Sequence, residues 1–330
     1  MLTFIISLIG FIVLALITMM LFSVSFFESL NFSAFITIFK TLVILALVYR
    51  IGAEAYTGLI KNKDALKAAL EKKESLLKFL AVFVGTLLTF AINVELNLGP
   101  VVAASTVAII ATLIVPKYDV PVYCGAFVGM ACPSVFYNYP LISLAGLTAG
   151  IFFVFSNKVF NGYGGKLGTI AFTGCIATTL VTRIPPIIAP IPLQETHLLL
   201  IIYSVAGALL TYLLNIRLGH SPVISSGIIG LMGGLFLPVM HPEVGEMFAI
   251  MVICASFVGM SSKDKVPNEA YMVIAGLFCA LFFIYTSSYL GGLGGKLGTI
   301  AFGSAIAVRG LSDLFNLAHK MIRKKYSGSK

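Results

Sequence analysis

Long apolar runs separated by short polar, glycine- or proline-bearing intervals fill nearly the whole chain. They fall at roughly residues 2 to 25, 33 to 52, 79 to 98, 100 to 116, 120 to 136, 141 to 158, 167 to 185, 197 to 216, 221 to 238, 247 to 262, 270 to 289 and 297 to 316. Each is continuous, without the two-residue alternation of a barrel wall, so the pattern predicts helices able to cross hydrocarbon. The fold class it predicts is an all-α polytopic membrane protein of about twelve transmembrane helices. One run carries Pro121, Gly125, Gly129 and Pro133 and reads as a broken helix. The first run lacks a basic start and a small-residue cleavage site, and reads as a retained helix.

The runs repeat. GGKLGTIAF occurs at Gly164 to Phe172 and again at Gly294 to Phe302. An offset of 130 also lays Phe127 to Met130 on Phe257 to Met260, and Ala145 to Leu147 on Ala275 to Leu277. Upstream an offset of 122 aligns Leu87 to Val102 with Leu209 to Ile224 and Pro116 with Pro238, leaving eight extra residues in the second copy after that proline. The chain therefore contains an internal duplication.

Charge orients the copies. Of the 330 residues only 11% are charged, 59% are hydrophobic and the formal net charge is +9; mean hydropathy is +1.03. The basic residues gather at Lys61 to Lys78 and Lys320 to Lys330, a positive-inside signature that argues for anionic lipid and against nucleic acid. With both clusters inside, an even number of spans separates them. The linker Ile184 to His197 has no lysine or arginine, which puts it outside and gives each repeat five spans. Lys117, Lys158, Lys166, Arg217, Lys263 and Lys265 then fall inside, with Arg183 and Lys296 as exceptions.

The expected organisation is an N-terminal hairpin and cytoplasmic surface helix over 1–78, a five-helix repeat over 79–190, an inverted five-helix repeat over 191–319 and a basic tail over 320–330. Leu59, Leu66, Leu70 and Leu77 give the surface helix its apolar stripe. Both termini would be cytoplasmic, in an inner membrane of bacterial type.

Candidate chemistry follows the repeat. Gly164, Gly165 and Lys166, with Thr169 a turn later, match Gly294, Gly295, Lys296 and Thr299. Glycines ahead of a helix start, with a lysine beside them, suit an anion cradle; the same glycines suit close helix packing. Asn93 and Asn215 match, as do Thr89 and Thr211, and read as solute contacts or as interhelical hydrogen-bonding groups. Gly129 and Pro133, with Gly259 and Ser261, mark candidate breaks whose freed carbonyls would line a cavity. Glu95 aligns with Arg217, and Arg183 with Asp313, which predicts two gating ion pairs, Glu95 with Arg183 and Arg217 with Asp313.

Several chemistries find no residues to carry them. No carboxylate lies well inside the ten repeat helices, which disfavours proton coupling. The four histidines and five cysteines have no metal-ligand spacing, no catalytic triad or cofactor fingerprint appears, and no cofactor is expected. The pattern points to passage of a small solute, an anion preferred, by alternating access at the interface of the repeats. Alternatives are a channel of the same architecture, a flippase or membrane enzyme acting on an anionic lipid head group, and a scaffold subunit of a membrane complex. The expected partners are the bilayer, the solute, and a second copy or a complex partner.

Overall fold

The computed structural model describes residues 2–30, 34–61, 71–188 and 192–327, and within them the apolar runs are helices. They are α1 (Leu2–Ser29), α2 (Ala34–Glu54), α3 (Lys72–Val94), α4 (Pro100–Ile114), α5 (Asp119–Gly129), α6 (Tyr139–Ser156), α7 (Lys166–Thr182), α8 (His197–Tyr212), α9 (Pro222–Met240), α10 (Gly245–Gly259), α11 (Glu269–Thr286) and α12 (Lys296–Ser327). Short π turns prolong α2 over Ala55–Lys61 and α8 over Leu213–Arg217. The extended pairing among the described residues is one antiparallel bridge, Ile187 with Gly291.

Eight helices are long and apolar enough to cross a membrane, and the molecule is a helical membrane protein in that sense. The other four, α4, α5, α7 and α10, have 15, 11, 17 and 15 residues. At 1.5 Å per residue these cover about 16 to 26 Å, short of hydrocarbon about 30 Å thick. Leu2, Ile5, Ile9, Ile12 and Leu16 of α1 are exposed at helical spacing, and so are Phe35, Ile38, Leu42 and Leu45 of α2. These stripes give the outer helices apolar faces suited to lipid.

Two expectations change, and the place of the eight extra residues is found. Lys72 to Lys78 open α3, so the basic segment ends as the first turns of a spanning helix and not as a surface helix. Leu66 and Leu70 fall outside the described residues. The basic tail from Lys320 continues α12 as helix through Ser327. The eight extra residues of the second copy make no longer loop: α9 has 19 residues against 15 in α4, and α10 has 15 against 11 in α5. Each arm of that helical hairpin gains about one turn.

Glycine sets how closely the helices pass. In α3 and α5, a Cβ at Gly85 would strike the Val122 backbone and one at Gly125 the Val82 backbone. In the second copy Gly207 likewise meets the Val252 backbone, and Gly259 meets that of Ala208 as Gly129 meets that of Thr86. At the centre, the first turns of α7 and α12 cross. Gly165 meets Gly298 and Phe302, Gly295 meets Gly168 and Phe172, and Gly168 and Gly298 touch through their Cα atoms. Earlier residues of one helix meet later residues of the other, so the two run in opposite directions. Gly165 and Gly295 also hold φ of +82° and +84°, which favours glycine for a second reason. α4 and α9 are antiparallel too: Gly234 lies against Val102, Gly230 against Ser105 and Gly227 against Ile109.

Gly168→Leu is expected to abolish a monodisperse peak in size-exclusion chromatography, because the neighbour it strikes is backbone and cannot turn aside. Gly52→Leu, with nothing within 4 Å of its Cβ, leaves the peak and the melting temperature unchanged.

Candidate functional site: two mirrored cavities and a charged latch

Two cavities flank the crossing. The first, about 260 Å³, is lined by Pro100, Met130 and Cys132 of the first copy and by Gly292 to Leu297 of the second. The second, about 320 Å³, is lined by Pro222, Met260 and Ser262 of the second copy and by Gly162 to Leu167 of the first. These parts of the two linings correspond under the 122 and 130 offsets: Pro100 with Pro222, Met130 with Met260, Cys132 with Ser262, and the two glycine-lysine approaches. Pro100 and Pro222 start α4 and α9, which are antiparallel, so the cavities lie toward opposite ends of that pair.

Reciprocal backbone bonds close each cavity with loops from both copies. The Cys132 amide donates to the Gly292 carbonyl at 2.9 Å, and the Ser262 amide to the Gly162 carbonyl at 2.8 Å. Phe127 lines both cavities. Its ring centroid stands 4.4 Å from that of Phe257, its counterpart in the other copy, so an aromatic pair separates the two spaces. Tyr123 packs on Phe127 at 4.3 Å and its hydroxyl joins a buried chain through Ser226 to Ser256.

The glycine-lysine helix starts lie in these cavities, one in each, but their lysines differ. Lys166 donates to the Asn161 side chain at 2.8 Å and is partly exposed. Lys296 is buried and donates to the carbonyls of Thr286, Ser287 and Tyr289, closing the C-terminal end of α11. Its ammonium is committed to that helix end. Thr169 and Thr299 turn their hydroxyls toward the Gly165 and Gly295 carbonyls of their own helices, both at 3.5 Å.

α5 ends at Gly129 and α10 at Gly259, where the runs were expected to break. Asn93 donates to the Gly129 carbonyl at 3.2 Å and Asn215 to the Gly259 carbonyl at 3.4 Å, so both amides tether those ends to the first helix of their own copy. Thr89 and Thr211 abut Gly129 and Gly259 with buried hydroxyls that have no partner. Ser261 accepts from the Gly164 amide at 3.0 Å. Pro133 lies in the turn after Cys132, with Val135 and Phe136 buried beyond it.

The two expected ion pairs do not form. Glu95 accepts from the Tyr139 hydroxyl at 3.4 Å, and Arg217 pairs with Glu269 at 2.6 Å. Tyr139 and Glu269 correspond under the 130 offset, so in each copy the end of the first helix is tied to the start of the fourth and not to the fifth. Arg183 closes α7 with φ +58°. Asp313 binds Arg50 at 2.7 Å and Arg309 at 3.3 Å.

That last contact belongs to a network the sequence reading missed. Arg50 donates to Glu54 at 2.6 Å, to the Tyr163 hydroxyl at 2.8 Å and to Asp313. Glu54 Oε1 also accepts from the Tyr163 hydroxyl and from Lys265, each at 2.8 Å, and the Lys265 ammonium stands 4.7 Å from the Tyr163 ring centroid. The N-terminal hairpin is thereby latched to a loop of each copy at the mouth of the Lys166 cavity. An arginine and a glutamate four apart at the end of an apolar run look like an ordinary interfacial pair, which hid them. Lys40 was hidden differently, as one basic residue inside an apolar run. It is fully buried, donates to the Ser25 carbonyl and hydroxyl at 2.9 and 2.8 Å, and sits 3.6 Å from the Tyr285 ring centroid, joining α1, α2 and α11. Its signal was the cost of a charge in hydrocarbon, which demands a partner.

No group of three or more metal-ligating side chains occurs among the described residues. Comparisons with protein-family models, curated proteins and solved structures find no match to the chain.

Lys296→Met, which leaves three carbonyls without their donor, is expected to lower stability by about 1–3 kcal/mol. Lys166→Met, with one side-chain partner, should cost markedly less; parallel thermal melts in detergent compare the two.

Proposed function

We propose that the protein carries a small solute across the membrane by alternating access, its two copies forming inverted repeats about an axis in the membrane plane. The observation that carries this reading is the pair of corresponding cavities, built from exchanged parts of the two copies and divided by Phe127 and Phe257. Two near-equivalent half-sites on either side of one barrier let the same rocking motion open one while it closes the other, at similar cost in either direction.

The antiparallel passage of α7 by α12 and of α4 by α9 supports the inversion. So does the grouping of the loops. Cys132 meets Gly292, and Ile187 meets Gly291, on the side assigned as outer; Ser262 meets Gly162, and Lys265 meets Glu54, on the side assigned as inner. Tyr289 donates to Glu28 at 2.6 Å, as two outer ends should. The first half-site is therefore the outer cavity and the second the inner. The lysine of the inner cavity has one side-chain partner, Asn161, whereas Lys296 is taken up by three carbonyls, which keeps the preference for an anion and restricts it to Lys166.

Reconstituted into liposomes, the protein should give saturable uptake of its solute and counterflow from preloaded vesicles. Conductance without saturation or counterflow would replace the carrier by a channel. Phe127→Ala and Phe257→Ala, which thin the barrier, are expected to raise passive leak several-fold at unchanged protein density, measured as dye-reported efflux. Cysteines placed at His241 and Lys263 should react with an impermeant maleimide from opposite faces; labelling from one face would exclude the inverted arrangement.

A further inference from the structure

One oxygen of Glu54 receives three donors from three separate parts of the chain. Arg50 comes from the same helix, Tyr163 from the loop before α7, and Lys265 from the loop before α11, at 2.6, 2.8 and 2.8 Å. The side chains of Glu54, Arg50 and Lys265 are only 10, 13 and 16% exposed. Arg50 is held from its other side by Asp313, which Arg309 holds in turn, so the guanidinium would stay oriented without Glu54. Two cations and a phenol aimed at one point, largely out of water, make a carboxylate receptor, and leaving them unfilled would strand charge.

We propose that Arg50, Tyr163 and Lys265 bind the carboxylate of a small organic anion, and that Glu54 occupies this site as a tethered surrogate while the inner mouth is closed. The place of this step in a cycle rests on the transport reading above. Tyr163 connects the receptor to the inner cavity, whose wall it shares with Lys166 and Asn161. The remaining wall is mostly apolar, with Val120, Phe127, Leu167 and Val223, which suits a carboxylate on an apolar body better than an inorganic anion. The outer cavity has no such receptor, because Tyr163 and Lys265 correspond to Leu293 and Val135. A solute carboxylate passing from Lys166 to the receptor displaces Glu54, which gives up its direct bonds to Tyr163 and Lys265 while Arg50 keeps its own bond to Tyr163. Occupancy is thereby linked to loss of the direct tie between Glu54 of α2 and the Lys265 loop.

The test uses the purified full chain, with propionate and benzoate as probes against chloride at matched ionic strength and propionamide as the neutral control. Removing the surrogate should improve binding: in Glu54→Ala, half-maximal thermal stabilisation is expected at about tenfold lower propionate than in the parent. Propionamide should not stabilise, and Glu54→Ala with Lys265→Met should lose the gain. Propionate affinity in Glu54→Ala no better than in the parent, or equal stabilisation by propionamide, would overturn the proposal. Should the alanine variant fail to fold, Glu54→Gln keeps the shape without the charge, and the same criterion applies to it. Saturable flux without any propionate gain would remove this receptor alone; propionate gain without flux would keep the receptor and remove the transport cycle.

Discussion

Everything central in this molecule depends on backbone meeting backbone where the first turns of α7 and α12 cross. Gly165, Gly168, Gly295 and Gly298 leave no side chain between the helices, so each helix start lies against the other copy and its approach loop is drawn deep into the bundle. Side chains of ordinary size there would push the helices apart to the usual 8–10 Å. The cavities would then merge or vanish, and the reciprocal bonds at Cys132 and Ser262 would be out of reach. The duplicated nine-residue segment is thus a packing device first. That device is also what presents one helix start to each cavity.

Around this near-symmetric centre the chain is deliberately unequal. The N-terminal hairpin has no counterpart, and it attaches by polar contacts at both ends: Glu28 with Tyr289 on one side, Arg50 and Glu54 with Tyr163, Lys265 and Asp313 on the other. Lys40 anchors it between them. A duplicated body alone would present two near-equal ends, and an attached third element with more polar contacts at one end than at the other makes them unequal.

Much of this was legible in the sequence, for identifiable reasons. Continuous apolar runs gave the helices, because every backbone group in hydrocarbon must be satisfied locally. The helix ends at Gly129 and Gly259 were legible from glycine and small residues within short runs. The partners of charged residues were not. Glu95 and Arg217 looked like mates of Arg183 and Asp313 on the last helix of their own copies, whereas their partners are Tyr139 and Glu269 at the start of the fourth. Periodicity says which face a residue occupies but not which helix stands opposite. The inequality of Lys166 and Lys296 was invisible in identical nonapeptides, since it comes from the carbonyls of a neighbouring helix.

The two unequal hairpins have a consequence for the surrounding lipid. α4 and α5 reach only about 22 and 16 Å, whereas α9 and α10 stand about 6 Å taller. α5 is almost wholly buried, so a bilayer would meet the shorter hairpin through the exposed tip of α4, Ile110, Leu113 and Ile114, and the taller one through α9, which reaches a turn further. The cost of fitting a bilayer to two unequal heights, fractions of a kcal/mol per Å, would vary with acyl-chain length. Bilayer thickness would then act on the first copy more than on the second.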